Sequence, residues 1–305
     1  MLEPRQRYSY SSPFTRAPLK LPGGARIVVW PVVNIEDWSI HKPMPRHNSL
    51  PPGGQTGAIP DVPNWTWHEY GMRVGIWRLF DALEKRGIKP TLSINAKVCE
   101  TMPEVAGPLR DAGWEFLAHC YEQESIHTIP DQAAMIAKTT EVLEKFIGKR
   151  PEGWLGPGRT QKFDTLEHVA AAGFKWHGDY VIDDQPIWNH TLKGPIVALP
   201  YSADLNDIPI MIGARHESHS MYKRTVDAFD ELYAESEQSA RVVCIAVHPY
   251  ISGATHRIRY FRELLDYMAK QQGVVFWNGE QIYRWFVSQR PQPDYLPAAV
   301  KPSGR

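Results

Sequence analysis

Short runs of large apolar residues recur along the chain, each parted from the next by a stretch whose apolar positions repeat every three to four residues. Ile27–Val33 and Val242–Val247 are the most apolar of these runs. Lacking polar alternation, they read as strands buried on both faces. Between the runs lie helix patterns over Tyr70–Arg86, about 103–112, Pro130–Ile147, Thr165–Ala172, Tyr222–Glu235 and about 256–270. Gly87, Gly113 and Gly148 follow three of them as stop signals. Thr91–Ile94, Trp114–Ala118, Ile196–Pro200 and Val274–Trp277 add shorter strands, and a last helix starts at Gly279. Strands regularly separated by helices specify an α/β fold with a mostly parallel sheet covered on both faces, open or closed into a barrel. In either geometry the chemistry gathers at the carboxyl ends of the strands.

The 305 residues, 43% of them apolar, suffice for one large core. Residues 1–24 lack periodicity and read as an N-terminal arm, 25–288 as a single domain and 289–305 as a tail. Lys plus Arg and Asp plus Glu both number 34, without a block of like charge, which argues against a nucleic-acid groove or a membrane face. Residues 1–24 lack the apolar core of a signal peptide, and no apolar run is long enough to span a membrane. The three cysteines, Cys99, Cys120 and Cys244, are odd in number and widely spaced. A reducing compartment suits them, so a cytoplasmic location is expected.

Five strand ends carry polar residues: Asn34–Trp38, Asn95, His119–His127, Leu155–Arg159 and His248–Gly253. Adjacent acids such as Glu36 and Asp37 can divide labour, one binding a cation or orienting a group while the other serves as base. An ordinary acidic loop is the alternative. His119 and His127, with a carboxylate such as Asp37, have the donor types of a zinc site. A strand cap and an exposed histidine would look the same. His248 follows the most apolar strand, where a half-desolvated imidazole can protonate a leaving amine, and Asp183 or Asp184 is available to hold its tautomer. Gly156-Pro157-Gly158 with Arg159 forms either an oxyanion-binding turn or a plain one. The long segment Asn34–Glu69 has no clear period and many Pro, Gly, His and Trp residues, as functional loops do.

In chain order, Asn64–Arg73, Gly153-Trp154-Leu155, Asp183–Pro186, Pro200–Asp207 and His248–Gly253 resemble the polysaccharide deacetylase (NodB-homology) superfamily over about residues 25–285. They look most like its cytoplasmic branch, which includes metal-independent bacterial allantoinases, cyclic-imide hydrolases and a peptidoglycan-deacetylase-like group. The resemblance implies a distorted, incomplete (β/α) barrel. It also implies Glu36 as general base, Asp37 and His119 as metal ligands, and His248 as general acid. The family's second metal histidine is replaced by Gln123, so a metal would need Glu122, Glu124 or His127 as a further ligand. The family's base-orienting arginine is missing from Trp154–Gly158, with Arg159 as a substitute. The implied cofactor is either none or one divalent metal such as zinc, and the implied assembly is a homo-oligomer, a tetramer among the branch relatives.

These residues together suit a hydrolase of non-peptide C–N bonds acting on a small molecule. Trp67 from Asn64–Tyr70 and Asp184 from Trp176–Trp188 are expected to close over a flat ring, and Gly156, Pro157 and Arg159 to contact it. A cyclic imide, ureide or related amide is the expected substrate. A deacetylase of an N-acetylated sugar would use the same residues, and a degenerate barrel could instead serve as a non-catalytic binding protein.

Overall fold

The computed structural model describes residues 2–50 and 57–292, so most of the expected tail lies outside the described residues. Nine strands form one sheet among them: β1 (Ile27–Ile35), β2 (Thr91–Ile94), β3 (Glu115–Ala118), β4 (Gly153–Trp154), β5 (Trp176–His177), β6 (Ile187–Asn189), β7 (Ile196–Ala198), β8 (Arg241–Val247) and β9 (Val274–Phe276). Their order is β6-β7-β5-β4-β3-β2-β1-β8, with β9 also paired to β1. Every pairing is parallel except that of β6 with β7. The sheet curls into an incomplete (β/α) barrel.

Helices α1 (Val62–Tyr70), α2 (Ile76–Glu84), α3 (Val98–Thr101), α4 (Pro103–Asp111), α5 (Gln132–Ile147), α6 (Thr165–Ala171), α7 (Ser220–Glu235), α8 (Ile258–Ala269) and α9 (Gly279–Gln289) accompany it. The Tyr70–Arg86 pattern begins eight residues early, at α1, because Asp61 caps the helix by accepting from Asn64 N at 3.2 Å. A π-helical turn over Gly71–Gly75 then joins α1 to α2. Strands β4, β5 and β6 have only two or three residues, too few for a periodic signal. No helix among the described residues is long and apolar enough to cross a membrane.

Side chains alternate across the sheet and sort into two apolar clusters. Ile27, Val29, Val33 and Ile35 of β1 and Val243, Ile245 and Val247 of β8 face the surrounding helices. Val28, Trp30 and Val32, with Val242, Cys244 and Ala246, face the inside of the curl. The arm contributes Leu19 and Leu21 to that inner cluster, and α9 contributes Ile282, Trp285 and Phe286. Residues 1–24 therefore wrap their own chain: Ala240 N donates to Leu19 O at 2.9 Å, and Arg16 pairs with Asp183 at 2.7 Å. At the same amino-terminal end of the strands, buried Glu115 accepts from Gly279 N at 2.7 Å and Glu280 N at 2.6 Å, capping α9.

Proline in an interior strand would ordinarily cost a ladder bond. Here the edge of β1 opposite β8 is shared. Val29 O accepts from Trp277 N at 3.1 Å and Ile35 O from Asn95 N at 3.3 Å, so odd-numbered residues present their backbone groups to that edge. Pro31 lies between Ile27–Val29, paired with β9, and Val32–Ile35, paired with β2. Its missing N–H breaks no bond there.

Candidate active site

Strand parity decides which polar residues meet. Continuing the inward alternation past β1, β3 and β8 brings Asn34, Glu36, His119 and His248 to one crevice of about 210 Å³ at the carboxyl ends of the strands. The same alternation turns Asp37 away. It lies in a neighbouring cavity of about 430 Å³, with Lys97 Nζ 3.1 Å from its carboxylate and Thr101 Oγ1 donating to it at 3.0 Å. The adjacent acids thus serve two different places.

Glu36 is fully buried and held by a ring of donors. Arg46 reaches both its oxygens at 2.9 and 3.1 Å, Trp38 Nε1 donates at 2.8 Å, Gln123 Nε2 at 2.9 Å and Tyr250 OH at 3.1 Å. Burial alone would push this carboxyl up, but the Arg46 guanidinium, aided by His248, His119 and His68, more than reverses that and holds it at about 2. Glu36 is therefore an anion throughout the physiological range.

His248 Nε2 stands 3.7 Å from Glu36 Oε1. Its Nδ1 is 2.6 Å from Asp207 Oδ1, while Asp207 Oδ2 accepts from His248 N at 2.8 Å and Ser252 Oγ at 2.6 Å. The bridge pairing Asn206 with Ala246 sets Asp207 beside the end of β8. Because the carboxylate accepts, Nδ1 carries the hydrogen and Nε2 faces Glu36. The loop bearing His248 is packed through glycines against the π-helical turn between α1 and α2. A Cβ on Gly71 would fall 2.4 Å from Tyr250 N, and one on Gly75 would fall 2.1 Å from Pro249 O. Only hydrogen fits at either position.

His119 is neutral: burial lowers it to about 4, and its Nδ1 lies 2.6 Å from the carbonyl of Leu155, which can only accept. Tyr201 OH accepts from Asn34 Nδ2 and Asn206 Nδ2, both at 3.3 Å, and its own hydrogen has no acceptor among the described residues. That makes it a free donor on the crevice wall, which Arg159 also lines.

Several expected site residues lie elsewhere. Asp184 lines a cavity with Glu235 and Arg241 at the arm, and Asp183 is taken by Arg16. Asp207 performs the tethering expected of that pair. Trp67 packs edge-to-face behind the crevice, 4.8 Å from the Tyr250 ring and 6.2 Å from that of Trp38, both of which hold Glu36. Gly156 N donates to Asp179 at 2.7 Å and is not free for an oxyanion, although Gly156 and Arg159 do line the crevice. Pro157 lines the neighbouring cavity. Arg46, rather than Arg159, orients Glu36. Arg46 sits in the aperiodic Asn34–Glu69 segment, which carries no signal for it, whereas Asp207 ends the Pro200–Asp207 motif.

A divalent metal does not fit these donors. Asp37 and His119 face different cavities, His127 lines a third, and Glu124 is paired with Lys42. Glu122 is engaged by Lys42 and Lys97, and Gln123, where a second histidine would ligate, donates to Glu36. Among the described residues no group of three or more His, Cys, Asp or Glu side chains is placed to hold a metal ion. Both acids of the first motif already face a cation of the protein itself.

Residues 66–177 match the polysaccharide deacetylase family. The chain carries a polysaccharide deacetylase domain. A Schizosaccharomyces pombe protein assigned to the polysaccharide deacetylases is 25% identical over 246 residues, 73% of this chain and 76% of its own length. A Pseudomonas aeruginosa PAO1 structure with the same assignment superposes at a TM-score of 0.81 with 25% identity, over 90% of this chain and 95% of that one. The PuuE allantoinase structure shares the fold at a TM-score of 0.86 and 23% identity, over 96% of this chain and all of its own. With its deacetylase domain, the protein is a hydrolase of non-peptide C–N bonds.

Proposed function

We propose that the chain opens a small cyclic imide, ureide or related amide by adding one water across a C–N bond. The acid–base pair carries the reading: Glu36 and His248 face each other across a crevice of about 210 Å³, room for a single small ring. A polymer-like N-acetylated glycan needs an open groove instead. The allantoinase whose fold this chain shares is named for a ring of that kind.

Water resting between Glu36 Oε1 and His248 Nε2 gives a proton to the pair as its oxygen bonds to the ring carbonyl carbon. Held near 2, Glu36 is a poor resting place for that proton, which favours its passage to His248. The carbonyl oxygen becomes negative and accepts a hydrogen bond from Tyr201 OH. The C–N bond then breaks as His248 delivers its proton to the departing nitrogen, with Asp207 stabilising the imidazolium. One water is consumed and nothing is released.

Mass spectrometry of cyclic imides, ureides and N-acetylated sugars incubated with the purified chain tests the proposal. Gain of one water by a ring is the expected result. Acetate release from a sugar would replace it with deacetylation, and no turnover of any ring would defeat it.

A further inference from the structure

Arg159 joins the crevice to a second cavity. Its φ is +57°, directly after Gly158 at +60°, a left-handed conformation uncommon for a residue with a Cβ. The turn is closed by Arg159 N donating to Gly156 O at 2.7 Å. Its side chain lines both the crevice and an adjoining cavity of about 690 Å³. Among the described residues the guanidinium has no hydrogen-bond or ion-pair partner, while the other charged groups of that cavity are occupied. Arg7 pairs with Glu167 at 2.9 Å and donates to Phe163 O at 2.7 Å. Lys162 Nζ donates to Ile129 O at 2.6 Å, a partner that leaves its charge uncompensated. Asp179 accepts from Gly156 N at 2.7 Å and Gln161 Nε2 at 2.8 Å. Lys162 and Arg159 against Asp179 leave one positive charge in surplus, and a planar, unpaired fork to express it.

We propose that the substrate carries a carboxylate that Arg159 binds in the wide cavity while the scissile amide lies between Glu36 and His248. This rests on the ring-opening reading and narrows its substrate to an anionic ring. A single surplus charge matches a monoanion better than a phosphate, and the guanidinium fork meets both oxygens of a carboxylate.

The test compares five-membered imide and ureide rings with and without a carboxymethyl arm, their binding measured by calorimetry to the full-length His248→Gln protein, in which proton delivery to the ring nitrogen is lost and the Glu36–Arg46 pair is kept. With Arg159 present, the carboxylate rings are expected to bind roughly ten to a hundred times more tightly than the neutral ones, as a charge-assisted hydrogen bond provides. Arg159→Gln should reduce that ratio to within about threefold of one, and Arg159→Lys should keep part of it. Thermal unfolding of each Arg159 variant, matched to that of its Arg159 parent, assures the fold. No preference with Arg159 present, a preference that survives Arg159→Gln, or no saturable binding of the carboxylate rings would each overturn the proposal. Intact preference together with no opening of either ring by the unmodified protein would instead sink the ring-opening reading and leave the carboxylate site standing.

Discussion

Replacing Arg46 by methionine removes the cation that keeps a buried carboxylate ionised. With charge centres about 4 Å apart and an effective dielectric of about 20, the pair interaction is on the order of 4 kcal/mol, or about three pH units in the Glu36 carboxyl. The group should rise from about 2 to about 5. In the unmodified protein its folded value is depressed, so it contributes stability above the ordinary carboxyl value, and that contribution fades as pH falls toward 2. In the variant this contribution is absent. Urea unfolding at pH 7 should therefore show a loss of about 4 kcal/mol, within the range for breaking a buried ion pair. The gap should narrow below pH 5 and reach about half by pH 3.5, where the variant's Glu36 is protonated and the unmodified one still charged. A gap constant from pH 7 to pH 3.5 would refute the reasoning and reduce Arg46 to a packing residue.

Asp207→Asn can turn the amide hydrogens toward His248 and favour the wrong imidazole tautomer, so kcat should fall by about 10²–10⁴ with KM little changed in steady-state assays of ring opening. Gly75→Ala places a Cβ 2.1 Å from Pro249 O, so thermal unfolding should register about 1–3 kcal/mol of destabilisation. Burial raises Glu115 to about 7 against the opposing hydrogen bonds of Thr91, Gly279 and Glu280, so its contribution to stability declines as pH rises from about 4.5 through 7. Glu115→Gln should flatten that part of the unfolding profile. Exhaustive chelation, with metal content checked by elemental mass spectrometry, should leave turnover unchanged, because Lys97 and Arg46 stand at the two acids.

The parts of the fold legible in the sequence are those with periodicity. β1 and β8 are long apolar runs, and α5, α7 and α8 repeat at helical spacing, so their places followed directly. Glu36, His119 and His248 were legible because each ends or follows such a run. Their partners were harder to read. Arg46 comes from an aperiodic segment, Tyr201 and Asp207 follow a three-residue strand, and spacing does not show which of several acids folds back onto an imidazole. Asp37 was misplaced for a simpler reason: neighbours on an extended chain face opposite ways, and a cation from another loop awaited it.

Pro31 matters before the sheet exists. β1 leaves the ribosome ahead of its partners, which begin at Thr91, Arg241 and Val274, so a nine-residue, largely apolar strand must wait unpaired. Such a segment invites stacking with copies of itself on other chains. A proline at its centre denies any such stack a continuous row of donors. The residue that costs the finished barrel no ladder bond on that edge thereby guards the unfinished chain against aggregation.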